Sequence, residues 1–215
     1  MQHNQQGWSE AAWQKHLPIY EKTQQLPFIQ ELITGRLNAD SFMFYIEQDA
    51  LYLQAFTKLL RTMAERIPEP KYQQYFRDFV AENMAAEQGL HDIYLRRDLS
   101  EIQPTETCQG FIEFNEELAT LPIELAVAGM LPCFIVYQQL GIYIYDQHIR
   151  DGNPYTDWID MYAGIEHSES VRKLREVCDH YGDQALDFIR NQMNEYYEEG
   201  CLWDQKFWQS CYEMK

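Results

Sequence analysis

The sequence is short of positive charge. Lys and Arg number 17 against 34 Asp and Glu in 215 residues, a formal net charge of -17. A surface of that sign repels phosphate backbones and anionic headgroups, so nucleic acid and membranes are disfavoured partners. No continuous apolar run reaches the ~18 to 20 residues that a membrane helix needs. The opening residues, Met1-Gln2-His3-Asn4-Gln5-Gln6-Gly7, lack the basic-then-apolar pattern of a secretory leader, and residues 1–8 read as a flexible tail. Paired cysteine motifs are missing too. Cys108, Cys133, Cys178, Cys201 and Cys211 are odd in number and form no Cys-x-x-Cys, a usage that fits reduced thiols in the cytoplasm. A Gly-rich phosphate loop, a zinc-spaced Cys/His cluster and a Gly-x-Ser-x-Gly elbow are all absent, which removes the sequence signatures of those three chemistries. There is no alternating strand pattern with hairpin turns and no internal repeat, so the fold class is all-α; nothing reads as a linker, so residues 1–215 are expected to form one domain.

What is present is a series of amphipathic segments separated by proline and glycine. Residues 9–33 read as short helical pieces that bend at Pro18 and Pro27, with Gly35 as the stop. Asn38 can cap a long helix to about residue 66, whose apolar positions Phe42, Tyr45, Ile46, Ala50, Leu53, Phe56 and Leu60 keep a 3.6-residue period. A third helix is expected over 71–98, a fourth over 105–120, and a fifth, the most apolar, from Pro122 to the Asp151-Gly152-Asn153-Pro154 turn. A short helix over 155–162 follows, then one opened by Ser168, and a last one capped by Asp183 with a possible break at Gly200.

Several residues in these helices have the chemistry for a site. Asp49 falls on or beside the buried stripe of its helix, where an ionised carboxylate is costly without a partner; a structural Asp satisfied by a hydrogen bond is the plain alternative. Cys133 follows Pro132 inside the apolar helix, beside an expected kink, with Tyr137 one turn on. Buried cysteines are mostly inert small hydrophobes, so packing and nucleophilic roles both stand at this point. Tyr52, Tyr162 and Asp204 are further polar groups set among apolar residues. Glu87/His91 and Glu176/His180 share helix faces at i,i+4. A carboxylate-bridged di-iron site uses Glu-x-x-His at i,i+3, so these pairs read as structural, with no metal and no cofactor expected.

Together, Gln48-Asp49 with Tyr52, Leu131-Pro132-Cys133 with Tyr137, Asn153-Pro154 with Trp158-Ile159-Asp160-Met161-Tyr162, and Phe207-Trp208 resemble the TenA family. Its members are also called thiaminase II or aminopyrimidine aminohydrolase, and the likeness spans most of the chain. The resemblance implies a heme-oxygenase-like helical bundle, a homotetramer, and a cytoplasmic enzyme of thiamin pyrimidine salvage acting on a small aminopyrimidine or thiamin-like ligand. It implies Cys133 as nucleophile, Asp204 as proton donor and Tyr52 as hydrogen-bond partner of the thiol. Asp49 would bind the amidine edge, Tyr137 and Tyr162 the polar edge, and Phe111 would line the ring. Two positions depart from the family pattern. Asp204 stands where a glutamate is usual, which shortens the reach by roughly one carbon–carbon bond, ~1.5 Å. Phe111 stands near a usual tyrosine. A non-catalytic or altered-specificity aminopyrimidine-binding protein is the main rival; a metal-dependent oxidase on the same fold and a DNA-contacting regulator rank below it.

Overall fold

A computed structural model describes residues 7–95, 97–162 and 165–215, and describes side chains for these except 90–92 and 161–167. Among them lie nine α-helices and no strand: α1 (Trp8–Gln24), α2 (Pro27–Ile33), α3 (Ala39–Arg66), α4 (Pro70–Tyr94), α5 (Glu106–Leu118), α6 (Ile123–Gln147), α7 (Thr156–Tyr162), α8 (Ile165–Gln184) and α9 (Asp187–Glu213). The buried apolar side chains of these helices join in one cluster. α6 lies at its centre and packs against α8 and α9, while α3 packs on α4, α5 and α9.

Local chemistry explains most of the helix ends. The Asn38 side chain accepts from Asp40 N at the start of α3, and Thr105 accepts from Cys108 N at the start of α5, each satisfying an otherwise unpaired first-turn N–H. Gly35, at φ 69°, turns the chain out of α2. Asn153, from the turn after α6, then donates to Leu32 O and Ile33 O and accepts from Tyr155 N. That buried asparagine ties the end of α2 to the start of α7.

The structure departs from the sequence expectations at several points. α1 runs unbroken through Pro18, so only Pro27 separates two helices; one forfeited hydrogen bond is tolerated in a packed helix. The third helix stops at Tyr94, and Asp98 caps a short 3-10 turn (Leu99–Glu101) instead. α8 begins before Ser168, and Leu186, not Asp183, precedes α9. Trp8, assigned to the tail, opens α1 and is buried. Gly182 sits inside α8 because a Cβ there would lie 2.6 Å from Trp8 Cβ. α6 is long and apolar enough, by length and composition alone, to cross a membrane, although no continuous run suggested it; 78% of its most apolar window is buried in the fold, as for a core helix.

Gly200 does not break α9, which runs continuously to Glu213. A Cβ at Gly200 would stand 2.7 Å from Gly129 O and 3.0 Å from Pro132 Cγ. The glycine therefore marks where α9 crosses α6 at backbone contact. Cys133 lies four residues after Gly129 and Asp204 four after Gly200, so each is one turn beyond the contact on its own helix.

Candidate active site

One turn past that crossing, three helices bring polar side chains together in the core. Tyr52 of α3 donates its hydroxyl to Cys133 Sγ of α6 at 3.1 Å. Asp204 of α9 and Asp49 of α3 are each 1% exposed, and both act electrostatically on the thiol. Cys133 is half-buried while the other four cysteines are buried. Cys108 and Cys178 are also engaged with backbone, donating to Gln48 O and Val127 O. The one cysteine that is only half-buried is thus the one with a hydroxyl and two carboxyls beside its thiol.

Rings enclose the cluster. Phe111 stacks on Tyr52 at 4.3 Å and Trp203 lies nearly parallel to Phe111 at 6.1 Å. Phe207 approaches both Tyr52 and Phe111. Tyr137, buried one turn after Cys133, packs on Trp208 at 5.5 Å, and Trp208 stacks on Tyr45 at 4.8 Å. The Tyr162 side chain lies outside the described residues. Next to Asp49, the Gln48 amide donates to Gln103 O and accepts from Thr105 N. Arg97 makes a bidentate pair with Glu47. The segment leading into α5, and so Phe111, is anchored to α3 immediately beside Asp49.

The electrostatics favour protonated groups. Burial, reinforced by the Asp49 charge, drives the Asp204 carboxyl well above the usual carboxylate range. Neither Asp204 oxygen has a hydrogen-bond partner, so nothing stabilises its ionised form. Burial also pushes the Cys133 thiol up, with Asp204 and Asp49 adding to the effect and the Tyr52 hydrogen bond opposing it. Tyr52 is raised by burial and then by Cys133 and Asp204. Both directions favour the neutral carboxylic acid and the neutral thiol, a pair that can supply a proton donor next to a sulfur nucleophile. The principal influences on Cys133 and Asp204 include carboxylates and no cation, so the site is electrostatically complementary to a cationic ligand.

The remaining candidates are dispersed. Glu176 is taken by Lys71 and Tyr75, and His180 lies 3.3 Å from Glu69. That histidine and glutamate face different partners although they share a helix face. The His91 side chain lies outside the described residues. Two open surface clefts, one lined by Arg61, Gln73 and Arg77 and the other by Tyr145, Arg150 and Asp160, do not border Cys133. Sequence reasoning missed Asn115, a buried polar residue of α5 beside Tyr52. Its i+4 spacing from Phe111 was the available signal. The glycine crossing was missed as well, because a close approach of two distant segments leaves no local mark.

Comparison with known proteins shows the family and the fold. The family model described as the TENA/THI-4/PQQC family matches residues 13–214. The thiamine biosynthesis multifunctional protein ThiED of Corynebacterium efficiens is 29% identical over 161 residues, 73% of this chain; the match spans only 22% of that longer protein. The aminopyrimidine aminohydrolase of Halalkalibacterium halodurans is 23% identical over 94% of both chains. A TenA homologue protein from P. horikoshii OT3 superposes with a TM-score of 0.85 at 22% identity, covering 98% of this chain and 100% of its own. Heme oxygenase-1 from Synechocystis superposes at 0.66 with 13% identity, over 95% of this chain and 92% of its own. The fold is therefore the heme-oxygenase-like helical bundle.

Proposed function

Since this chain belongs to the TENA/THI-4/PQQC family, we propose that it is a hydrolase of thiamin pyrimidine salvage, converting 4-amino-5-aminomethyl-2-methylpyrimidine and water to the 5-hydroxymethyl compound and ammonia. The observation that carries this reading is the 3.1 Å hydrogen bond from Tyr52 to Cys133 Sγ, made beside the buried Asp204, whose carboxyl is held well above the usual carboxylate range by burial. The full-length likeness to an aminopyrimidine aminohydrolase supports the substrate class.

In this reading Asp49 pairs with the amidine edge of the aminopyrimidine through charge-assisted hydrogen bonds, which orient the ring and make it more electrophilic. A cationic substrate supplies the positive charge that the carboxyl groups lack and so favours the thiolate. Cys133 Sγ adds to the ring as the thiol proton passes by way of Asp49 to the amidine edge, and the electron pair moves out through the 5-methylene as its C–N bond breaks. Asp204 delivers the proton to the departing amine. Water then adds to the methylene, the S–C bond breaks and the aromatic ring is restored, with Tyr52 donating to the sulfur whenever it carries negative charge. Tyr137 and Tyr162 hold the polar edge, and Phe111, stacked on Tyr52, lines the ring site without the hydroxyl usual in the family. The chain acts without a cofactor, in the cytoplasm, as a homotetramer.

Cys133→Ala tests the reading: release of ammonia and hydroxymethylpyrimidine disappears while the variant still binds aminomethylpyrimidine, seen as a thermal shift. Normal turnover by that variant would show the nucleophile to be elsewhere.

A further inference from the structure

Tyr52 has one hydroxyl hydrogen and two lone pairs, and the hydrogen can point in only one direction at a time. In the structure it points at Cys133 Sγ. Something has to make that orientation the preferred one, because a phenol in a site with a thiol and two carboxyls has competing acceptors. Asn115 is the candidate on the neighbouring helix. It follows Phe111 by four residues on α5, and the Phe111 ring stacks on the Tyr52 ring at 4.3 Å, so Asn115 lies on the face of α5 that covers the Tyr52 ring.

Asn115 is 3% exposed and its amide nitrogen is buried without any partner at full hydrogen-bond geometry. A buried amide donor left that way is costly unless it has work at the site. Among the principal influences on Tyr52, burial, Cys133 and Asp204 all disfavour the tyrosinate, and Asn115 acts the other way. We propose that Asn115 is a positioning residue, whose amide N–H engages the Tyr52 hydroxyl oxygen and thereby commits the Tyr52 hydrogen to Cys133. The amide cannot accept through its nitrogen, so an oxygen seated against it presents a lone pair there and turns its hydrogen towards the sulfur. Polarised in this way, Tyr52 is a better donor to a thiolate than a lone phenol.

The inference rests on Cys133 being the nucleophile, and its test can be read without turnover. The groups facing the thiol are Tyr52 and Asp49 from α3 and Asp204 from α9; both carboxyls stay in place in every variant compared, and all three groups do in Asn115→Leu. The rate of iodoacetamide alkylation of Cys133 is followed by peptide mass spectrometry between pH 7 and 10 in the ligand-free full-length chain. The four proteins are wild type, Asn115→Leu, Tyr52→Phe and the double variant. Asn115→Leu keeps the volume and removes the donor. It should slow alkylation about tenfold at a given pH, equivalent to one unit of thiol acidity, with an unchanged or raised melting temperature. In the Tyr52→Phe background the same substitution should change nothing. With aminomethylpyrimidine, kcat should fall about tenfold at constant KM. Equal slowing in both backgrounds, or no slowing in either, overturns the proposal. Should Asn115→Leu not fold, Asn115→Ala, which removes the donor without adding an acid, is read by the same criteria. A Cys133→Ala variant that still turns over would instead refute the functional reading and leave the alkylation result intact.

Discussion

Replacing Gly200 with alanine adds one methyl group where α9 crosses α6, a turn away from the proposed chemistry. The new Cβ would lie 2.7 Å from Gly129 O, whereas ordinary contact begins at 3.4 Å, so the two backbones must separate by about 0.7 Å. The obstacle is a carbonyl of a packed helix, backed by the Pro132 ring, and neither can rotate away. Overpacking of this kind costs roughly 1–3 kcal/mol, while removing a glycine from a helix interior returns up to about 1 kcal/mol. The net change in stability should then be about 0–2 kcal/mol, or at most ~8 °C in Tm for a chain of this length. Activity should suffer more. The separation is transmitted to Asp204 and Cys133, and a misplacement of ~1 Å costs on the order of a hundredfold in rate, so 0.7 Å should cost on the order of 25-fold in kcat/KM. The assay is initial-rate formation of hydroxymethylpyrimidine from aminomethylpyrimidine, alongside thermal melts. Gly89→Ala in α4 is the control, since a Cβ there meets nothing within 4 Å; it should leave kcat/KM unchanged and raise stability slightly. A Gly200→Ala enzyme within twofold of wild type, melting normally, would refute the claim that this crossing sets the distance between thiol and acid.

Two further outcomes concern Asp204. Its carboxyl is held well above its unfolded value by burial, so the folded chain binds an extra proton, and stability falls as pH rises from the ordinary carboxylate range through the folded pKa. Asp204→Asn should remove that part of the decline in Tm between pH 5 and 9 while lowering kcat by roughly 10²–10⁴-fold; an unchanged Tm profile would mean that the acid is ionised at rest. Asp204→Glu restores the longer acid usual in the family and should maintain or raise kcat/KM. A sharp loss would mean that the pocket is built around the shorter side chain for another substrate.

The helices were legible in the sequence where local chemistry decides them. Asn38, Thr105, Pro27 and Gly35 act at the helix ends as their side chains or φ preferences require. The 3.6-residue stripe of α3 carried Asp49 and Tyr52 inward as expected, and both are buried. The errors share a cause. Pro18 and Gly200 were read as punctuation because proline and glycine usually are, yet α1 runs through the first, and the second serves a contact with Gly129 that lies far away in the chain. Asn115 was passed over because a single polar residue on an amphipathic helix resembles its solvated neighbours until the partner helix is in place. The Leu131-Pro132-Cys133 block stood out by its chemistry, whereas its distance to Asp204 depends on the crossing of α6 and α9.

The protonated state of Cys133 also bears on how the protein withstands oxidants. Peroxides and electrophiles attack the thiolate, and a thiol whose ionisation is opposed by burial and two carboxyl neighbours offers little of it. Cys133, the one half-buried cysteine, is therefore chemically quiet in the empty protein, and in the proposed reaction it is activated by the ligand whose charge offsets those carboxyls. Stray oxidants arrive without that charge and find a sluggish target. In the proposed reaction, the same arrangement that delays the thiol until substrate is bound also preserves it between turnovers.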